Sequence, residues 1–82
     1  MSTSETVRSV LADHARLPVE VSALAENEDL YQAGMTSHAS VNVMLALEDR
    51  FDLEFPDRML KRSVFESIAA ITQAVDELKQ GA

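Results

Sequence analysis

Apolar residues recur along most of this chain at spacings of three and four, the pattern of helices rather than strands. Val7, Val10 and Leu11 form the first stripe, preceded by Ser2 and Glu5 in the arrangement of a capping box. This predicts a first helix over Thr3 to Ala15, with His14 continuing the stripe as a half-buried boundary residue. From Leu17 to Gly34 the period is lost. Pro18 interrupts the register, and Glu26-Asn27-Glu28-Asp29 is a polar cluster typical of loops. Val21, Leu24, Leu30 and Tyr31 are the apolar residues that should pin this long connection to the core.

The second helix has the clearest outline. Thr36 is a good N-cap, and Ser37 to Arg50 contains no breaker. At about 100° per residue, Val43, Met44, Leu47 and Phe51 fall on one arc, which is the expected core face. His38, Asn42, Leu45 and Asp49 fall opposite, with Val41 on the boundary, so Leu45 should be exposed. Pro56 suits the first turn of a short helix through Leu60, with Lys61 and Arg62 complementing its C-terminal dipole. Ser63 and Glu66 form a second capping box, opening a last helix that carries Ile68, Ile71, Val75 and Leu78. The fold class is therefore all-α: a small bundle of three main helices plus one short helix, with a long loop between helices 1 and 2, in a single domain over 1–82.

Composition narrows the function. Eighty-two residues bury a modest core, and with no cysteine there is neither a disulfide nor a thiolate metal site to support it. Fourteen acidic against seven basic residues give a formal charge of −7, which argues against nucleic acid and favours partners with basic docking surfaces. No apolar run approaches the ~20 residues needed to cross a bilayer, which points to a cytoplasmic protein, a monomer with no membrane contact. Catalytic groups are sparse. There is no glycine-rich phosphate loop, and His14 and His38 stand too far apart in sequence to suggest a metal site. Ser37 and His38 are neighbours, yet on a helix neighbouring side chains diverge by about 100°, which counts against a nucleophile–base pair. The expectation is a protein that is not an enzyme. Ser37 itself follows Gly34-Met35-Thr36 at the start of a helix, where unpaired N–H groups and the positive dipole end favour a phosphate, although an ordinary first-turn serine behind a Thr36 cap fits these local features better.

Asp29-Leu30-Tyr31, Gly34-Met35-Thr36-Ser37, Leu45-Ala46-Leu47-Glu48, Phe51 and Phe55-Pro56-Asp57, taken together, resemble the acyl carrier protein family, including its peptidyl and aryl carrier relatives. The resemblance covers roughly Asp29 to Val75. It implies an acyl-carrier-like bundle whose serine, here Ser37, receives 4′-phosphopantetheine from coenzyme A through a phosphopantetheinyl transferase. The arm's thiol would then hold an acyl or aminoacyl group as a thioester, in a free-standing carrier serving a loading ligase and a downstream transferase. Two departures from the family pattern stand beside the serine: Thr36 where the family usually has Asp, and His38 where it has Leu. Asn42 stands where fatty-acid carriers often have an acid, and the negative charge lies further on, at Glu48, Asp49, Asp52, Glu54 and Asp57. These departures imply a specialised carrier, for an amino acid or an unusual acyl group. Partner docking is expected on Thr36, His38, Val41, Asn42, Leu45 and Asp49. The competing reading is an unmodified acidic interaction module that keeps only the carrier-like shape.

Overall fold

A computed structural model describes residues 2–81. Four helices follow in order: α1 (Thr3–His14), α2 (Ser37–Phe51), α3 (Arg62–Phe65) and α4 (Ile68–Gly81). Single 3-10 turns at Val21–Ala23 and Asp57–Met59 punctuate the connections. The described residues contain no strand, so the all-α expectation holds, with three main helices and a short one.

The first helix begins where the capping box placed it. Ser2 Oγ accepts from the Glu5 N–H, and the Glu5 carboxylate accepts from the Ser2 N–H. Its apolar stripe is buried at Val7, Val10 and Leu11, but Ala15 completes the stripe in place of His14, which is exposed. The chain leaves the helix just there and reverses through Arg16 at φ 55°, carrying His14 into solvent. Thr36 caps α2 by accepting from the Ala39 N–H, and Asp52, left-handed at φ 54°, ends it. Val43 and Leu47 are fully buried, Met44 and Phe51 half-buried, and Ala39 joins the core face a turn earlier than the larger residues suggest.

The long connection is anchored as its apolar residues imply: Val21, Leu24 and Leu30 are buried and Tyr31 is half-buried. Arg8 adds a polar anchor by donating to the Val21 carbonyl at 2.8 Å. α1 packs against both α2 and α4, and α3 against α4, whereas α2 and α3 scarcely touch.

The second half of the chain departs from the expected boundaries. The short helix placed from Pro56 to Leu60 is only the turn Asp57–Met59, and the last helix does not open at Ser63 and Glu66. Instead α3 occupies Arg62–Phe65, the chain bends at Glu66–Ser67, and α4 starts at Ile68, where Ser67 Oγ accepts from the Ala70 N–H. Two long-range backbone bonds hold this bend: Leu30 N–H to the Glu66 carbonyl at 2.7 Å and Ala69 N–H to the Glu26 carbonyl at 2.9 Å. A continuous helix would have used those groups internally. Arg62 consequently opens a helix, against the dipole preference, and its guanidinium finds an attractive partner in the face of Tyr31 instead.

Candidate functional site

Ser37 is the first residue of α2 and is exposed. It is placed there by two features of the preceding chain. Asp29 accepts from the N–H groups of Tyr31 and Gln32, folding a turn. Gly34, at φ 125°, then lets the backbone pass against Pro18 so closely that a Cβ would stand 2.7 Å from the proline Cδ. The Ser37 hydroxyl has no hydrogen-bond partner among the described residues, while its carbonyl accepts from Ser40 Oγ at 2.7 Å. Thr36 occupies its own hydroxyl as the cap, and no acid stands at the third helical position to close the remaining N–H groups, because Ala39 is there.

Beside Ser37 runs an open groove of about 360 Å³ between α2 and the α3 segment. Ser40, Val41 and Met44 form one wall; Leu60, Lys61, Arg62 and Phe65 form the other, with Tyr31 at the end. Arg62 lies 4.2 Å from the centre of the Tyr31 ring, and Phe65 stacks edge-on with Phe55 at 5.3 Å. A serine with a free hydroxyl, at a helix start and at the mouth of an apolar groove, suits a covalently attached phosphodiester arm. The helix end favours the phosphate, and the groove accommodates an extended chain.

Of the other residues singled out from sequence, Thr36, His38 and Asp49 are exposed, Val41 is 49% and Leu45 52% exposed, and Asn42 is half-buried. Asn42 turns away from the groove into a second hollow shared with Ala15, Arg16, Gly34, Thr36 and His38. The groove's far wall was not foreseen as part of the site. The signal for it was present: Arg58, Lys61 and Arg62 put three of the seven basic residues within five positions of an acidic chain.

The family pattern for a phosphopantetheine attachment site matches residues 5–75, most of the chain. The aminoacyl carrier protein of Agrobacterium fabrum is 46% identical over 76 residues, covering 93% of this chain and 92% of that protein. This chain belongs to the acyl carrier protein family. Solved structures agree. A chain in the complex of an engineered Bradyrhizobium japonicum glycine:[carrier protein] ligase with carrier protein from Agrobacterium tumefaciens and AMP superposes with a TM-score of 0.87. It is 46% identical, over 89% of this chain and 97% of that one. The holo acyl carrier protein of Nitrosomonas europaea, 28% identical over the whole of both chains, gives 0.84. The protein is thus a carrier, holding an acyl or aminoacyl group as a thioester on a covalent 4′-phosphopantetheine arm. No helix among the described residues is long and apolar enough to cross a membrane.

Proposed function

We propose that Ser37 is the attachment residue and that the cargo is an amino acid, loaded by an amino acid:[carrier protein] ligase after a phosphopantetheinyl transferase has installed the arm. The observation that carries the attachment is the position of Ser37: an exposed hydroxyl without a partner, at the first turn of α2, opening on the groove. Ser40, the neighbouring alternative, spends its hydroxyl on the Ser37 carbonyl. The amino acid cargo is supported by the 46% identity to an aminoacyl carrier protein and by the likeness to a carrier in complex with a glycine ligase. Thr36 and His38 flank the serine, and Val41, Leu45 and Asp49 continue the exposed strip of α2 on which these enzymes would dock, with Asn42 at its edge. The chain's own residues orient the arm and present it; the arm contributes the thiol, so this protein needs no catalytic group of its own.

Incubating the protein with coenzyme A and a broad-specificity transferase should add one phosphopantetheine by intact mass, and Ser37→Ala should add none. Mapping of the adduct to Ser40, or no adduct on the unaltered chain, would remove this assignment. The stability of Ser37→Ala should stay within ~0.5 kcal/mol of the parent, as for other exposed positions.

A further inference from the structure

The end of α2 that carries Ser37 has a charge pattern opposite to that of the molecule. The chain bears −7 overall, yet from Leu30 to Leu47 it contains no acidic residue. Three of its seven basic residues gather around that end instead. Lys61 and Arg62 stand on the groove wall facing Ser37, and Arg16 stands in the hollow on the other flank, beside Thr36 and His38. All three are exposed. The one ion pair among the described residues joins Arg58 and Glu77, so these three cations have no acidic partner there, Asp57 on the preceding turn included. Arg62 is held over Tyr31 by a contact that fixes its guanidinium without neutralising it. At the other end of α2 acids predominate: Asp49, Asp52 and Glu54 are all exposed, with Arg50 among them and Lys79 over the Phe51 ring. Asp49 is twelve residues beyond Ser37, about 18 Å at 1.5 Å per residue. Val41 and Leu45 lie between the two ends, with Leu60, 48% exposed, across the groove.

We propose that this is a two-signed docking face, and that the ligase loading the carrier presents acidic side chains around the mouth of its active site, against Arg16, Lys61 and Arg62, and basic side chains about 18 Å away, against Asp49 and Asp52. The inference rests on the carriage assigned to Ser37 and adds the electrostatic character of the partner. A single phosphodiester on Ser37 offers one negative charge at one point, too little to occupy cations on both flanks of the helix. A partner surface spans both. Opposite charges at the two ends of a short apolar strip also fix orientation, because a carrier docked the wrong way round meets like charges at both ends.

The test uses the phosphopantetheinylated protein with the Bradyrhizobium japonicum glycine:[carrier protein] ligase, glycine and ATP. Lys61→Glu, Lys61→Glu/Arg62→Glu and Asp49→Arg are compared with the parent, each checked by circular dichroism for an unchanged melt. Lys61→Glu is the control should the double variant lose the Tyr31 contact and unfold. The reversals at both ends should each lower the second-order loading rate by about tenfold or more at low salt, and the deficit should shrink as salt is raised. Loading slowed by Asp49→Arg alone, or quickened by Lys61→Glu, overturns the inference and leaves a docking face of one sign. Calorimetric titration of the ligase with Ser37→Ala protein, which carries no arm, should still show weaker binding on Lys61→Glu; weakening seen only with the arm present assigns the cations to the arm's phosphate and also overturns it. A chain that accepts the arm but is not loaded by this ligase removes the ligase and this inference together. A chain that accepts no arm removes the assignment of Ser37 itself.

Discussion

Where α1 meets α4, apolar side chains are closed over: Val7, Val10, Leu11, Ile68, Ile71 and Val75 are fully buried, and Thr3 Oγ1 donates to Asp76 across the interface at 2.8 Å. Where α2 faces α3 the helices part, Val41, Leu45 and Leu60 remain about half exposed, and a groove runs between them. The helix starts differ in the same sense. α1 begins in a reciprocal capping box that uses Ser2 and Glu5 both ways, whereas α2 begins with Thr36 alone and leaves donors free around Ser37. One side of the molecule is finished as a core, and the other is left open for something to arrive. The stability of a small domain has to come from the first side so that the second can remain available.

The sharpest way to break this contrast is within α2, which belongs to both sides. Leu47→Ala removes a fully buried side chain and should cost roughly 2–5 kcal/mol, enough to unfold much of a domain with marginal stability. Leu45→Ala, two residues away at 52% exposure, should cost less than ~0.5 kcal/mol in denaturant titration while slowing ligase loading. Equal losses of stability in the two variants would show that the open side is not separate from the core.

Next in size is Gly34→Ala, at the junction between the loop and the site. It combines a φ of 125° with a Cβ that would press on the Pro18 ring, which has no flexible end to move aside. A loss of roughly 1–3 kcal/mol is expected, together with slower modification of Ser37, since the turn that aims the serine must shift. Unchanged modification would mean that Ser37 is positioned by the helix alone. Thr36→Ala should then cost about 1 kcal/mol by deleting the single cap of α2, with Thr36→Ser close to the parent. A cost near zero would show that the start of α2 is held by packing of Ala39 and Met35 rather than by its cap.

The same contrast explains what the sequence disclosed. Both helix starts that depend on residues within three positions, Ser2 to Glu5 and Thr36 to Ala39, are readable in one dimension, and so is the rotation of α2 that exposes Leu45. The end of α1 was misread at His14 because the reversal at Arg16 is a left-handed residue with no local signature. The break between α3 and α4 was misread for a larger reason. Ser63 and Glu66 have the spacing of a cap, yet the Glu66 carbonyl is taken by Leu30 and the Ala69 N–H by Glu26, partners some forty residues distant. The groove is non-local in the same way, since Tyr31 and Arg62 come together only once that break is made. The position of Ser37 at the start of α2 was legible because the glycine, the cap and the uninterrupted helix lie within a few residues of it, whereas the role proposed for it came from the family resemblance and not from these local signals.

The smallest effect belongs to the closed side and tests whether its capping box contributes electrostatically as well as through shape. Glu5 is held below the ordinary glutamate value of 4.5, first by the Ser2 backbone N–H at 3.2 Å and then by the Ser2 hydroxyl at 3.1 Å, both bonding its carboxylate. A carboxyl whose pKa is lowered on folding adds stability that is fully present above its unfolded value and disappears as the pH falls through its lower folded value. Glu5→Gln keeps the shape of the box but not the charge. The melting temperature of the parent should therefore exceed that of Glu5→Gln by a small margin at pH 7, because the group is fully exposed and the charge is solvent-screened. The two melting curves should converge as the pH is lowered past 4.5 and through the folded value, below which both side chains are neutral. A gap that persists at the acid end would assign the difference to geometry, and no gap at pH 7 would show that the box acts through its shape alone.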